Sequence, residues 1–147
     1  MKFNANGGTP VNKVLSISHG EPIGKLPKTS RLGYTFGNWC DQYGNQVNRN
    51  TTIEEDMTLT AQWNAISYRI SYDMDVKGAA VPSTAWTEYN RDSFNGQDYY
   101  PPEPMCRGYD FVEWTPKFLP STYMGDWTFY ASWTRLTYII KWDYCSG

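Results

Sequence analysis

A nucleophile needs a base, and this chain offers one histidine, His19, between Ser18 and Gly20. Cys40 is the thiol it would have to activate. His19 instead reads as a surface residue at the end of an expected strand. Two carboxylate groupings stand out, Glu54-Glu55-Asp56 and Asp73-x-Asp75. General acid and base groups must face each other across a cleft, which adjacent chain positions do not provide, so the first reads as a solvated acidic turn. The second, followed by Gly78, has part of the spacing of a calcium loop, but the third oxygen ligand and the distal Glu are missing. Cys40, Cys106 and Cys145 are odd in number, widely separated and without CxxC spacing, which indicates free thiols, not a disulfide framework or zinc knuckle. No GxGxxG, P-loop or HExxH pattern occurs, and Asn50-Thr51-Thr52 forms a glycosylation sequon expected to be idle. The expectation is a chain without catalytic residues, metal or cofactor.

What must position these groups is a core built on rings. The 147 residues include 7 Trp, 12 Tyr and 6 Phe, so aromatic burial, not disorder, is the expected behaviour. The net charge is -2, and neither half of the chain is basic enough for a phosphate backbone, which excludes nucleic acid. No apolar run reaches the roughly 18 to 20 residues of a membrane span, and Met1-Lys2-Phe3-Asn4 does not open a signal peptide, so neither membrane insertion nor a leader is expected in this chain.

The elements come from an internal repeat. Arg31-Leu32-Gly33-Tyr34-Thr35-Phe36-Gly37-Asn38-Trp39 returns as Arg107-Gly108-Tyr109-Asp110-Phe111-Val112-Glu113-Trp114. Met57 to Trp63 returns as Trp127 to Trp133, and Tyr68-Arg69-Ile70-Ser71-Tyr72-Asp73 returns as Tyr138-Ile139-Ile140-Lys141-Trp142-Asp143. The order of the signatures is kept, so the unit is about 70 residues.

Period-two alternation makes these segments strands. Met57, Leu59, Ala61 and Trp63 share an inward face, as do Trp127, Phe129, Ala131 and Trp133. Tyr34 and Phe36 share a face from which Trp39 is offset by one, predicting a bulge that Trp114 repeats. Asn6-Gly7-Gly8 predicts a turn after the first strand, with a second strand over 14–18. Weak helical signals occur at 84–89 and 51–56. The expected structural core is Phe3, Tyr34, Phe36, Trp39, Leu59 and Trp63 in the first copy, and Tyr72, Tyr109, Phe111, Trp114, Phe129 and Trp133 in the second.

Phe3-Asn4-Ala5-Asn6-Gly7-Gly8, Leu26-Pro27, Arg31-x-Gly33-Tyr34-Thr35-Phe36-x-x-Trp39 and Leu59-Thr60-Ala61-Gln62-Trp63 together resemble the Listeria/Bacteroides repeat, also called the internalin B-repeat. The second copy keeps Arg107-Gly108-Tyr109-x-Phe111, Trp114 and the final strand. It replaces the Asn-Gly-Gly turn by Tyr72 to Gly78 and carries a divergent insertion at 79–100. The resemblance implies a strand-dominated α+β fold of tandem small β-grasp-like (ubiquitin-like) modules with little helix. It also implies an extracellular, cell-surface setting and no enzymatic activity. The expected division is module 1 over 1–64 with a truncated opening strand, module 2 over 67–134, and the opening strand of a third module over 137–147.

Only four residues separate Trp63 from Tyr68 and Trp133 from Tyr138, none of them Gly or Pro, so successive modules should form a semi-rigid stalk. Neighbouring modules are the first partners expected, with a host or cell-wall protein or glycan as a further possibility. A homo-oligomer could form if Tyr138, Ile140 and Trp142 add as a strand to another subunit. The alternative function is a carbohydrate- or protein-binding module that uses the exposed rings of Tyr130, Tyr99 and Tyr100.

Overall fold

The computed structural model describes residues 1–10 and 13–145 and divides the chain into two compact units. Unit 1 comprises residues 1–67 with 90–92, and unit 2 comprises 68–89 with 93–147.

In unit 1 the strands are β1 (Lys2–Asn4), β2 (Lys13–Val14), β3 (Tyr34–Cys40), β4 (Gln46–Val47) and β5 (Thr58–Ala65), in sheet order β2-β1-β5-β3-β4. The central pair β1 and β5 is parallel, with Phe3 opposite Leu59. The alternation along β5 follows from the pleat: Leu59 and Ala61 are buried while Gln62 and Asn64 face solvent. The bulge lies where the offset predicted it. Phe36 sits opposite Trp63 and Trp39 opposite Ala61, so three steps on β3 oppose two on β5 and Trp39 turns into the core. Phe3, Ile23, Trp39, Val47, Ile53, Leu59 and Ala61 form that core.

Unit 2 has β6 (Tyr68–Asp73), β7 (Glu88–Tyr89), β8 (Tyr109–Thr115) and β9 (Trp127–Arg135), in order β7-β6-β9-β8. Here β6 and β9 are the parallel pair, with Tyr72 opposite Phe129. The register shift recurs, between Phe111 and Glu113. Trp114, Phe129 and Leu119 are buried with Ile70, Tyr89, Phe94, Tyr99 and Ala131.

The two units share a set of fastenings. The Trp63 indole N–H donates to the Ala5 carbonyl at 3.0 Å, and that of Trp133 to the Met74 carbonyl at 2.6 Å. Trp39 donates to Pro27 at 3.3 Å and Trp114 to Pro102 at 3.1 Å. The turn after the opening strand also keeps its form despite its changed sequence. Asn4 Oδ1 accepts the Asn6 N–H at 2.9 Å and Asp73 Oδ1 accepts the Asp75 N–H at 3.1 Å, with φ at Asn6 and Asp75 of 49° and 58°. Short Asx side chains tolerate that left-handed conformation. Gly8 is required for another reason, close approach: a Cβ there would lie 2.5 Å from Trp63 Cζ2.

Several expectations need correction. No α-helix occurs among the described residues. Residues 88 and 89 of one expected helical stretch are in a ladder opposite Arg69 and Tyr68, and Ile53 of the other bonds to Glu21. A single turn is too short to nucleate a helix against such pairing. The second strand is shorter than expected, two residues in place of 14–18. Phe36 is 41% exposed because it pairs at the far end of β5, and Tyr34 and Tyr109 are half-buried outside both core clusters. Trp63, Tyr72, Phe111 and Trp133 are partly buried against the cores. Residues 136–145 carry no strand and expose Tyr138, Ile140 and Trp142, since a strand exists only when paired; residues 146 and 147 of that segment lie outside the described residues.

Trp127 is the exception among the indoles, because its buried N–H has no acceptor among the described residues, whereas Met57 occupies the same register position in unit 1. Denaturant unfolding should therefore separate two equivalent substitutions. Trp133→Phe strands the Met74 carbonyl and is expected to cost about 1–3 kcal/mol, whereas Trp127→Phe removes an unpaired donor and should cost clearly less. Gly8→Ala should destabilise unit 1 by about 1–3 kcal/mol through overpacking.

Candidate functional site

The rings proposed from sequence for binding are separated by the fold. Tyr130 lies on β9 with Asp73 and Thr115 beside it in register, and its side chain is 53% exposed. Tyr100 is 65% exposed and tilts against Phe118 at 5.3 Å.

Tyr99 is not a surface residue: it is 8% exposed. Its ring stacks on Trp86 at 4.2 Å, and its oxygen accepts the Trp86 backbone N–H at 2.9 Å. The Tyr72 hydroxyl donates to the Trp86 carbonyl at 2.8 Å, so the 3.0 Å contact between the two tyrosines has Tyr99 as donor. This circuit fastens part of the 79–100 insertion onto β6. Trp86, Tyr89, Phe94 and Tyr99 thus do core work that sequence reasoning missed, although the concentration of rings in the insertion was a signal for it. Burial, reinforced by the Tyr99 bond, holds the Tyr72 hydroxyl far above its ordinary pKa. Burial likewise pushes Tyr89 up to about 12, and its hydroxyl donates to the Gly125 carbonyl at 2.6 Å.

The groups with catalytic residue types are spread over turns and strand ends. His19 Nε2 lies 3.1 Å from Glu54 Oε2, both exposed, beside a hollow of about 350 Å³ that also touches Glu55 and Asp56. Glu55 accepts the Tyr43 hydroxyl at 3.0 Å. Cys40 is half-buried and its Sγ donates to Asn38 Oδ1 at 3.1 Å, and all three cysteines are free thiols. Among the described residues no cluster of His, Cys, Asp and Glu has the make-up of a metal site, and Asp73 spends one oxygen on its own turn.

A larger feature belongs to unit 1. An open trough of about 620 Å³ is floored by Phe36, Leu26, Trp39 and Val47 and rimmed by Lys25, Asn38, Asn48 and Arg49. Phe36 was assigned to the core by its period-two phase, which gives the face of a strand but not the distance from the centre of the sheet.

Residues 1–62 match the Listeria-Bacteroides repeat domain. Two curated relatives, both from Evansella cellulosilytica, align with nearly the whole chain. One carries the provisional name Gly-rich membrane protein and is 26% identical over 152 residues, covering 96% of this chain and 17% of the relative. The other, provisionally named a membrane protein, is 24% identical over 154 residues, covering 97% of this chain and 22% of the relative. The chain thus spans about a fifth of the length of these relatives. No solved structure matches it. No helix among the described residues is long and apolar enough to cross a membrane.

The buried tyrosines give unit 2 a pH response. A hydroxyl whose folded pKa is raised keeps its proton longer in the folded state, so the folded form binds more protons than the unfolded one and stability falls as pH rises. The contribution is complete below the ordinary value of 10.0 and is lost as pH climbs toward about 12 for Tyr89. Tyrosinate absorbance and near-ultraviolet circular dichroism against pH should show these two rings titrating only as unit 2 opens, and Tyr89→Phe should flatten the fall of stability between pH 10.0 and about 12 while lowering stability at neutral pH through the lost bond to Gly125.

Proposed function

We propose that this chain is a non-enzymatic repeat segment of a bacterial surface protein, built from β-grasp-like modules and acting as a semi-rigid stalk that presents adhesive elements. The observation that carries this reading is the brevity of the joint. β5 ends at Ala65 and β6 begins at Tyr68, leaving Ile66 and Ser67, and the Ile66 N–H is itself bonded to the Gly33 carbonyl at 3.0 Å. Leu136 makes the equivalent bond to Gly108 at 2.9 Å, so the next joint starts in the same way. So little free chain restricts inter-module motion compared with a Gly/Ser linker.

The sheet order β2-β1-β5-β3-β4 with a parallel central pair supports the β-grasp-like assignment, with irregular chain where that fold carries its helix. The match of residues 1–62 to a repeat family and the membrane-protein names of the relatives support an extracellular, surface-attached setting. The partners of this reading are adjoining modules and a host or cell-wall surface. The unpaired residues Tyr138, Ile140 and Trp142, which continue the alternation of β6, would pair within a further module or with another subunit. A second reading, ligand binding through Tyr130 and Tyr100, rests on the exposure of those rings.

Small-angle X-ray scattering tests the stalk. The native chain should give a narrow pair-distance distribution, and about ten Gly/Ser residues inserted after Ser67 should broaden it. Equally broad distributions in both chains would overturn the stalk reading. For the second reading, a glycan or surface-protein signal abolished by Tyr130→Ala or Tyr100→Ala is the supporting result, and signals unchanged by both substitutions would reject it.

A further inference from the structure

The geometry points to the unit 1 trough as a binding site for an acidic carbohydrate, with the sugar face on Phe36 and its carboxylate between Lys25 and Arg49. Phe36 is an apolar ring presented to solvent, yet it is held from behind by two indoles, Trp39 at 5.7 Å and Trp63 at 5.6 Å. A ring fixed in this way loses little freedom when a ligand stacks on it. The trough volume of about 620 Å³ lies within the roughly 300–1,000 Å³ of small-ligand sites.

The polar groups around the ring are donors in search of acceptors. No carboxylate lines the trough, although the chain as a whole carries a net charge of -2. Among the described residues neither Lys25 nor Arg49 takes part in an ion pair, so both charges are uncompensated. Asn38 and Asn48 use their side-chain oxygens inside the protein, the first for the Cys40 thiol and the second for the Asn50 N–H. Their amide NH₂ groups make no hydrogen bond among the described residues. Two cations, two amide donors and one apolar ring are complemented by a ligand with an anionic carboxylate, several hydroxyl acceptors and an apolar C–H face. A uronate-containing oligosaccharide has all three, and Arg49 offers the two-pronged geometry that carboxylates take best.

An acidic peptide fits less well. The rim backbone is already committed, Gly24 N–H to the Arg49 carbonyl and Asn48 N–H to Thr51 Oγ1, and β4 presents only two ladder residues. A peptide would find almost no main-chain pairing, on which strand-type recognition depends.

The second copy is an internal contrast. The Trp39–Pro27 and Trp114–Pro102 bonds fix an offset of 75 residues, which places Tyr100 where unit 1 has Lys25 and Glu113 where it has Asn38. Glu113 faces Lys117 at 3.9 Å, and Val112 takes the place of Gly37. The shared frame survives this reversal of chemistry, so the donors of unit 1 are not needed to build the repeat.

The probe is tetragalacturonate, titrated into the full chain at low salt by calorimetry and by amide chemical-shift mapping. Saturable binding is expected, with shifts confined to residues around Phe36 and Arg49 and affinity falling as salt rises. Arg49→Gln and Lys25→Gln, both exposed or rim substitutions that leave the core intact, should each weaken binding about tenfold, whereas Glu113→Gln should leave it unchanged. Phe36→Leu keeps an apolar side chain for folding and should weaken binding by removing the flat face. Absence of binding, equal binding of the fully methyl-esterified tetramer, or indifference to both Arg49→Gln and Phe36→Leu would overturn the assignment. So would a tetraglutamate peptide that binds as tightly at the same residues.

Discussion

The structure depends on one contact made twice: a tryptophan near the end of the last strand donates its indole N–H to the carbonyl that follows the opening strand. Trp63 reaches Ala5 and Trp133 reaches Met74. The pairing it secures, β1 with β5 and β6 with β9, is parallel and brings together segments far apart in the chain, so its loop-closure cost falls on few ladder residues. With no helix among the described residues to cover the crossover, the closure is held by ring packing and by these side-chain bonds. An indole suits the position because its body fills core volume while its N–H reaches the strand end, two functions that Leu or Phe cannot combine.

From that frame the chain can change its surface without changing its fold. The Asn-Gly-Gly turn of the first copy and Asp73-Met74-Asp75 of the second differ in sequence, but both place a short Asx oxygen over the same backbone N–H. The segments between strands diverge more. In unit 1 they contribute Ile23 and Ile53 to the core, whereas in unit 2 they contribute Phe94, Tyr99 and Leu119, and the hydroxyls of Tyr99 and of Tyr89 on β7 must then be satisfied internally. The second core is therefore larger in rings and more exacting in hydrogen bonding, because each buried hydroxyl left alone would carry a desolvation penalty.

What could be read in the sequence follows from which interactions are local. Period two gave the faces of β5 and β9, and the one-residue offset of Trp39 and Trp114 gave the bulge, because both are consequences of the pleat itself. Tyr99 was misplaced because its burial is decided by Tyr72 and Trp86, residues with which it shares no periodic relation. Phe36 was misplaced for a different reason: its face was right, but the end of the sheet lies beside it. The trough residues Lys25, Asn38, Asn48 and Arg49 come from separate parts of unit 1, so no linear spacing could have announced them. The weak helical signals failed because Glu88 and Tyr89 gain a ladder that a one-turn helix cannot match.

Repetition makes the difference between the copies informative. Where both units keep a residue type at the same register position, as with the paired tryptophans and with Gly33 and Gly108, a single mechanical requirement accounts for both. Both glycines hold φ near +85°, at 83° and 85°, where a side chain would be strained. Where they diverge at an exposed position on a common frame, stability does not explain the choice, because the other copy folds without it. Lys25 against Tyr100 and Asn38 against Glu113 are such positions, and in unit 1 both residues border the same trough. In a repeat of this kind the frame sets what is common to the modules, and departures from it at the surface are where the recognition chemistry of an individual module is to be sought.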